Sequence, residues 1–142
     1  MLEVRGLSGG YGGRLIVEDV DIDVAAGEIV TVIGQNGAGK STILKSIFNM
    51  VPERGGQVRL QGTDIFNVSP YSMLTVGLSY IPQHHSIFPR LTIDENLRMG
   101  GYLLNDPALL SERMARVKEM FPILKERAGE IAAGLSDSSA GS

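Results

Sequence analysis

A lysine followed by two hydroxyl residues closes a glycine-rich run in this 142-residue sequence, and these are the residue types best suited to chemistry. The run fits the pattern GxxxxGK[ST] of a phosphate-binding P-loop. Its glycines permit backbone angles that let successive N–H groups face phosphate oxygens without an intervening side chain. The motif therefore predicts a nucleoside triphosphate site formed by Gly34, Gln35, Asn36, Gly37, Ala38, Gly39, Lys40, Ser41 and Thr42.

The polar side chains of the run have distinct expected tasks. Lys40 should contact the β- and γ-phosphates as a positive charge, which makes it a predicted catalytic residue. The Ser41 hydroxyl should coordinate Mg²⁺, and Thr42 should add a hydroxyl near the α-phosphate. The plainer interpretation is a glycine-rich turn with an exposed lysine.

Composition limits the class of protein. The 16 acidic and 13 basic residues are interspersed and give a net charge of −3, so no basic surface for nucleic acid is expected. The absence of cysteine from the sequence excludes disulfides and thiolate chemistry and fits a reducing compartment. No apolar run approaches the roughly 20 residues that span a bilayer, and residues 1–7 lack a signal pattern. The sequence predicts a soluble, cytoplasmic chain.

Short strands and one helix should hold the P-loop in place. Alternating or continuous apolar residues predict strands at 2–5, 20–24, 29–33, 57–60 and 78–81. The run 29–33 should be buried and should lead into the P-loop, after which a helix should run from about Lys40 to Phe48. Residues 1–65 are therefore predicted to form an antiparallel β-lobe and P-loop core.

The second half of the chain is predicted to be helical. The residues Thr92-Ile93-Asp94-Glu95 form a capping box, which marks the start of a helix that should reach Leu103. Apolar residues at helical spacing from Leu110 to Leu124 predict another helix, which Pro122 should kink or split. The predicted divisions are a core segment at 66–83, a helical lobe at 84–136 and a tail at 137–142.

These motifs together resemble the nucleotide-binding subunits of ABC transporters, over residues 1–136. That family places an aromatic residue upstream of the P-loop, where it stacks on adenine, and Tyr11 holds this position. Gln83 matches the family glutamine that contacts Mg²⁺ and the attacking water. The resemblance implies an α/β, ABC-type P-loop NTPase fold with ATP and Mg²⁺ as cofactors. It also implies that Tyr11 binds nucleotide and that Gln83 is both a catalytic residue and a metal ligand.

Two further segments, residues 88–103 and 120–127, resemble the ATPase subunits of branched-chain amino acid importers, and urea and amide importers have similar segments. This implies ATP hydrolysis coupled to transport, on the cytoplasmic face of the plasma membrane. The implied partners are permease subunits and a second nucleotide-binding subunit. His84 and His85 are interpreted as part of a loop that faces the membrane partner, because adjacent histidines do not easily chelate one ion.

The match to the family stops at its signature motif. Leu135 and Ser136 begin the LSGG signature, but Asp137 stands where the first of the two glycines belongs. The family signature binds the γ-phosphate held by the partner subunit, so Asp137 would oppose a negative charge there. The 142 residues also lack the Walker B strand, the catalytic glutamate and the switch histidine.

An alternative to the active transporter subunit is therefore a nucleotide-binding fragment with little ATPase activity by itself. A GTPase or small-molecule kinase is disfavoured by Tyr11, Gln83 and the Leu135-Ser136 start of the signature.

Overall fold

The computed structural model describes residues 1–83 and 86–136. The chain divides into two compact units, Met1–Tyr80 and Ile81–Ser142. His84, His85 and the predicted tail at 137–142 lie outside the described residues. The finer division at 65/66 and 83/84 stays a prediction.

An antiparallel sheet forms most of the first unit. Its strands are β1 (Leu2–Tyr11), β2 (Arg14–Val24), β3 (Glu53–Leu60) and β4 (Thr63–Asp64), in the order β2-β1-β3-β4. The predicted strands at 2–5, 20–24 and 57–60 are confirmed as parts of longer strands. The antiparallel β-lobe is therefore confirmed.

Side-chain alternation explains how β2 lies on the sheet. Val20, Ile22 and Val24 are half-buried, while the two aspartates between them are exposed. Val4 of β1 pairs with Ile22 on one side and with Val58 on the other, and Val4 and Val58 are fully buried. One face of the sheet is thus apolar, as expected for an antiparallel sheet with one face in water.

Helix α1 (Lys40–Ile47) covers this apolar face. The core comprises Val4, Leu7, Ile47, Phe48, Val58, Ile65 and Met73. Close approach of α1 to β1 depends on Gly9, because a Cβ there would lie 1.9 Å from Ser46 Oγ. Arg54 of β3 donates to the carbonyl oxygens of Ser46 and Phe66 and stacks on the Phe66 ring, 3.9 Å from its centroid. The guanidinium therefore ties the end of α1 to the sheet and the loop beyond it.

Two predicted strands are wrong. Residues 29–33 and 78–81 form no strand, and the side chains of Ile29 and Ile33 are 92% and 86% exposed instead of buried. A strand requires a neighbour for its backbone N–H and C=O groups. Among the described residues no strand pairs with either segment. Apolar composition alone therefore did not produce a strand at these positions. A 3₁₀ helix at Pro70–Val76 precedes the second segment.

The second unit is helical, as predicted. Its helices are α2 (Ile93–Gly100), α3 (Pro107–Met120), α4 (Pro122–Glu126) and α5 (Ala133–Ser136). The predicted capping box at the start of α2 is present, although α2 ends at Gly100 rather than at Leu103. Pro122 splits the predicted long helix into α3 and α4. Within the described part of the chain, no helix combines the length and the apolar character that crossing a bilayer requires.

Candidate functional site

The glycine-rich run forms a loop between the segment 29–33 and α1. Gly37 and Gly39 have φ angles of 85° and 89°, in the left-handed region that favours glycine. The N–H of Ala38 donates to Gln35 O at 3.2 Å, which closes the loop, and the N–H of Ile43 donates to Gly39 O at 2.9 Å, which begins the helix. The local geometry is therefore a tight loop followed directly by a helix N-terminus.

Packing against the neighbouring strand also favours glycine at position 39. A Cβ on Gly39 would lie 2.6 Å from Val17 Cγ1 and 3.5 Å from Ile16 Cγ2. Gly39 itself is buried and is the N-cap residue of α1, with no side chain to cap the helix. β2 thus fixes where the loop ends and where α1 begins.

The first turn of α1 presents unpaired backbone donors. Among the residues that the structure describes, no acceptor contacts the backbone N–H groups of Lys40, Ser41 or Thr42. The N-terminal end of a helix dipole is positive, so these N–H groups can bind an anion. Ser41 is exposed, and its hydroxyl has no hydrogen-bond partner in the described part of the chain, whereas Thr42 is only 7% exposed. Ser41 is therefore the better placed of the two to contact a ligand.

The Lys40 side chain lies back over its own loop. Its ammonium group donates to the carbonyl oxygens of Gly34 and Gln35, each at 2.7 Å. These contacts place a positive charge at the loop that leads into α1. Phosphate oxygens can replace the two carbonyls as acceptors, since an ammonium has three rotatable donors.

The residues of the loop fit a magnesium nucleotide better than a free metal ion. Within the described ranges, no group of three or more histidine or acidic residues could hold a metal. Mg²⁺ usually binds through one or two protein oxygens together with substrate phosphates. A single exposed hydroxyl at Ser41 beside a phosphate-binding helix N-terminus fits that pattern.

Tyr11 lies at the end of β1, in the same unit as the loop. It pairs with Arg14 across a two-residue turn, and its side chain is 42% exposed. No aromatic ring contacts it among the described residues. Because Ile16 and Val17 of the same hairpin contact Gly39, the hairpin lies beside the start of α1. Tyr11 is thus partly exposed, in a hairpin whose second strand contacts the end of the loop.

Gln83 is exposed and belongs to the second unit. In the described part of the chain no hydrogen bond is recorded for its side chain. Its contact with Mg²⁺ and water therefore stays a prediction.

Sequence reasoning missed Glu53, which interacts with the turn next to Tyr11. Its Oε1 accepts a hydrogen bond from the Gly13 N–H at 2.9 Å. The two residues are 40 positions apart, and a single glutamate before Arg54 carries no motif that would have indicated the contact. Only the pairing of β3 with β1 brings them together.

The fold and the loop together define a P-loop nucleotide-binding protein. Residues 17–141 match the family described as ABC transporter. The chain belongs to this family. The predicted ABC-type fold is thereby confirmed for the part of the domain that the chain spans.

Three curated relatives and one solved structure show the extent of the similarity. The probable branched-chain amino acid transport ATP-binding protein LivF of Archaeoglobus fulgidus is 36% identical over 138 residues, covering 94% of this chain and 58% of LivF. The high-affinity branched-chain amino acid transport ATP-binding protein BraG of Pseudomonas aeruginosa is 36% identical over 136 residues, covering 96% of this chain and 58% of BraG.

The lipopolysaccharide export system ATP-binding protein LptB of Escherichia coli K12 is 35% identical over 119 residues, covering 84% of this chain and 49% of LptB. A solved ATP binding subunit of an ABC transporter superposes with a TM-score of 0.75 at 32% identity, covering 92% of this chain and 54% of that one. The chain thus spans between about half and three fifths of the length of these proteins.

Proposed function

We propose that this chain is the ATP-binding part of an ABC importer subunit, in which ATP binding and hydrolysis are coupled to transport. The observation that carries the proposal is the set of donor groups at the start of α1. There, three successive backbone N–H groups have no acceptor among the described residues, and the same short segment carries the Lys40 ammonium and the exposed Ser41 hydroxyl. Family membership supports ATP and Mg²⁺ as the ligands.

Each residue of the site has a defined part in the proposed mechanism. The N–H groups of Lys40, Ser41 and Thr42 bind phosphate oxygens, and the Lys40 ammonium exchanges its carbonyl acceptors for the β- and γ-phosphates. Ser41 supplies a ligand to Mg²⁺, which, when bound, neutralises charge that develops on the phosphates. Tyr11 stacks on adenine, and Gln83 orients the attacking water.

Thermal unfolding tests nucleotide binding directly. A ligand at 100 times its Kd stabilises the folded state by about 2.7 kcal/mol, so Mg-ATP should raise the midpoint of unfolding clearly. Lys40→Ala should abolish the shift because it removes the charge from the loop. Lys45→Ala is the matched control, since Lys45 lies on the same helix but outside the loop. No shift in the parent chain, or an equal shift in Lys40→Ala, would contradict the proposal.

For residues 1–142 by themselves we propose nucleotide binding with little turnover. Asp137, in the undescribed part of the chain, stands where the family has a signature glycine, and the exposed segment 29–33 has no strand beside it among the described residues. Steady-state phosphate release should therefore stay close to the rate of the Lys40→Ala variant. Robust release that depends on Lys40 would show that these residues suffice for hydrolysis.

The proposed solute is a branched-chain amino acid. The names of LivF and BraG, which include branched-chain amino acid transport, support this solute. LptB, which is almost as similar in sequence to this chain, is named for lipopolysaccharide export instead. Reconstitution of the subunit with a candidate permease in vesicles tests the assignment. ATP-dependent leucine uptake that Lys40→Ala removes is the expected result. Uptake of another solute class, with none of leucine, would contradict it.

The proposed partners are permease subunits and a second nucleotide-binding subunit, which would place the chain on the cytoplasmic face of the membrane. The second unit offers support, since it contains a largely apolar cavity of about 760 Å³ whose lining includes Phe88, Met99 and Met120. These three side chains are exposed in the chain alone, as expected of a surface that a partner covers. Co-purification with a permease from detergent extracts tests the assignment, and recovery free of any membrane protein would oppose it.

A further inference from the structure

We propose that Glu53 is a positioning residue for nucleotide binding, because its carboxylate fixes the turn that carries Tyr11. The inference rests on the proposed function, in which Tyr11 stacks on adenine. Glu53 does not contact the nucleotide in this account. It acts through the backbone of the β1–β2 hairpin.

The tip of this hairpin has little to hold it in one conformation. Gly12 and Gly13 form the turn, with φ angles of 61° and 75°. Glycine adopts such angles at no steric cost, but it also has access to many others. The pairing of β1 with β2 shifts register between Gly9 and Gly10, and only two pairs, Gly10 with Leu15 and Tyr11 with Arg14, separate this shift from the turn. Tyr11 therefore lies between a register shift and a turn of two glycines.

Glu53 connects this turn to the rest of the sheet. It is the first residue of β3 and pairs with Gly10 on the side of β1 away from β2. Its Oε1 accepts a hydrogen bond from the Gly13 N–H at 2.9 Å. Among the described residues, no other hydrogen bond reaches the turn from outside the hairpin. The chain on either side of Tyr11 is thus fixed to β3, at Gly10 by strand pairing and at Gly13 by the carboxylate.

The second carboxylate oxygen indicates that this contact is not optimised for stability. Glu53 Oε2 is buried and has no hydrogen-bond partner among the described residues. Burial of an unpaired polar atom opposes folding. Such departures from good packing are expected mainly at functional positions. A role in holding Tyr11 accounts for a glutamate at this position.

Loss of the Glu53 contact should weaken binding only of ligands that carry a base. The Tyr11 side chain has no ring partner among the described residues, and the backbone that carries it is fixed to β3 at Gly10 and Gly13. Without the Glu53 contact, the turn would have to be ordered when adenine binds, and that ordering weakens affinity. The hairpin reaches the start of α1 through Ile16 and Val17, beyond the turn, so loss of the Glu53 contact should affect the phosphate-binding N–H groups little. Glu53 should therefore influence affinity for ATP but not for a ligand without a base.

Calorimetric titration with Mg-ATP and with magnesium tripolyphosphate separates these effects in the full 142-residue chain. Glu53→Ala should weaken ATP binding about fivefold, as expected for a fraction of the stacking energy of one base, and should leave tripolyphosphate binding within about twofold. Glu53→Gln should bind ATP like the parent, because its amide oxygen can still accept from the Gly13 N–H. Gln57→Ala, an exposed residue of the same strand, is the matched control.

A double variant tests whether Glu53 acts through Tyr11. Tyr11→Ala with Glu53→Ala should bind ATP no more weakly than Tyr11→Ala alone. Equal weakening of both ligands by Glu53→Ala would indicate a general structural role and overturn the inference. If Glu53→Ala binds ATP like the parent while Tyr11→Ala binds it weakly, the inference is also overturned. The proposed function would then remain intact. If the parent does not bind ATP, or if Tyr11→Ala binds it like the parent, the proposed role of the site fails and the inference fails with it.

Discussion

Gly39 and Lys40 are the two neighbouring residues that shape the proposed phosphate site. Gly39 ends the loop in a left-handed conformation against Val17, so that the next N–H groups face outward from the start of α1. Lys40 then turns its ammonium back to the Gly34 and Gln35 carbonyls. Backbone donors and a positive charge therefore belong to one short segment before any ligand arrives, which reduces the ordering needed on binding.

The contact between Gly39 and Val17 gives a matched pair of stability predictions. Gly37→Ala introduces a Cβ at positive φ with no atom within 4 Å. Backbone strain should therefore lower the free energy of unfolding by about 1 kcal/mol. Position 39 has a similar φ, but the Cβ that Gly39→Ala introduces would lie 2.6 Å from Val17 Cγ1. Overpacking should therefore lower the free energy of unfolding by about 1 to 3 kcal/mol more than in Gly37→Ala. Urea denaturation measures both. Equal losses in the two variants would show that Val17 does not require glycine at position 39.

The loop and the helix that follows it could be predicted from the sequence, because the glycine-rich motif requires both. The orientation of Lys40 and the contact of Glu53 with Gly13 could not. The first depends on which acceptors are nearby when no phosphate is bound. The second depends on the pairing of β3 with β1, which joins residues 40 positions apart.

The start of α2 is determined by hydrogen bonds between residues that are close in sequence. The Thr92 hydroxyl accepts from the Glu95 N–H at 3.2 Å, and the Glu95 carboxylate accepts from the Thr92 N–H at 2.8 Å. Both bonds lie within four consecutive residues, so the sequence predicted the start of this helix correctly. Residues 29–33 differ, because a strand depends on a neighbour that its own sequence does not specify. Their apolar composition therefore gave a wrong prediction.

The capping box should make stability depend on pH. Hydrogen bonds from the Thr92 N–H and then from its hydroxyl hold the pKa of Glu95 below its ordinary value. A carboxylate with a lowered folded pKa stabilises the fold above its unfolded pKa, and that contribution is lost as pH falls through the folded value. The loss should therefore begin near the ordinary glutamate pKa of about 4.3 and continue below it.

Glu95→Gln tests this dependence, because glutamine does not titrate. We expect the variant to be less stable than the parent at neutral pH and to approach it as the pH falls through the folded pKa of Glu95. Glu112→Gln, at an exposed position of α3, is the control. Urea denaturation at several pH values, followed by circular dichroism, measures the difference. A constant difference between Glu95→Gln and parent at all pH values would contradict the assigned role.

The whole chain comprises two units, and the P-loop and Tyr11 lie in the first. The chain spans 58% of LivF and of BraG, so the transport activity of those proteins belongs to longer polypeptides. Ile29 and Ile33 form an apolar, exposed segment immediately before the loop. The phosphate loop nevertheless has its turn, its helix and its contact with β2 within the first 80 residues. Binding of the triphosphate should therefore be a property of the first unit.

The most direct test of this account is an amide NMR titration of the labelled chain with Mg-ATP. If the free N–H groups at the start of α1 bind phosphate, the amide signals of Gly39, Lys40, Ser41 and Thr42 should move most and saturate together. In Lys40→Ala the same signals should move little at equal nucleotide concentration. Saturable binding of Mg-ATP that leaves these four amides unchanged, with the largest shifts elsewhere in the chain, would contradict the central claim.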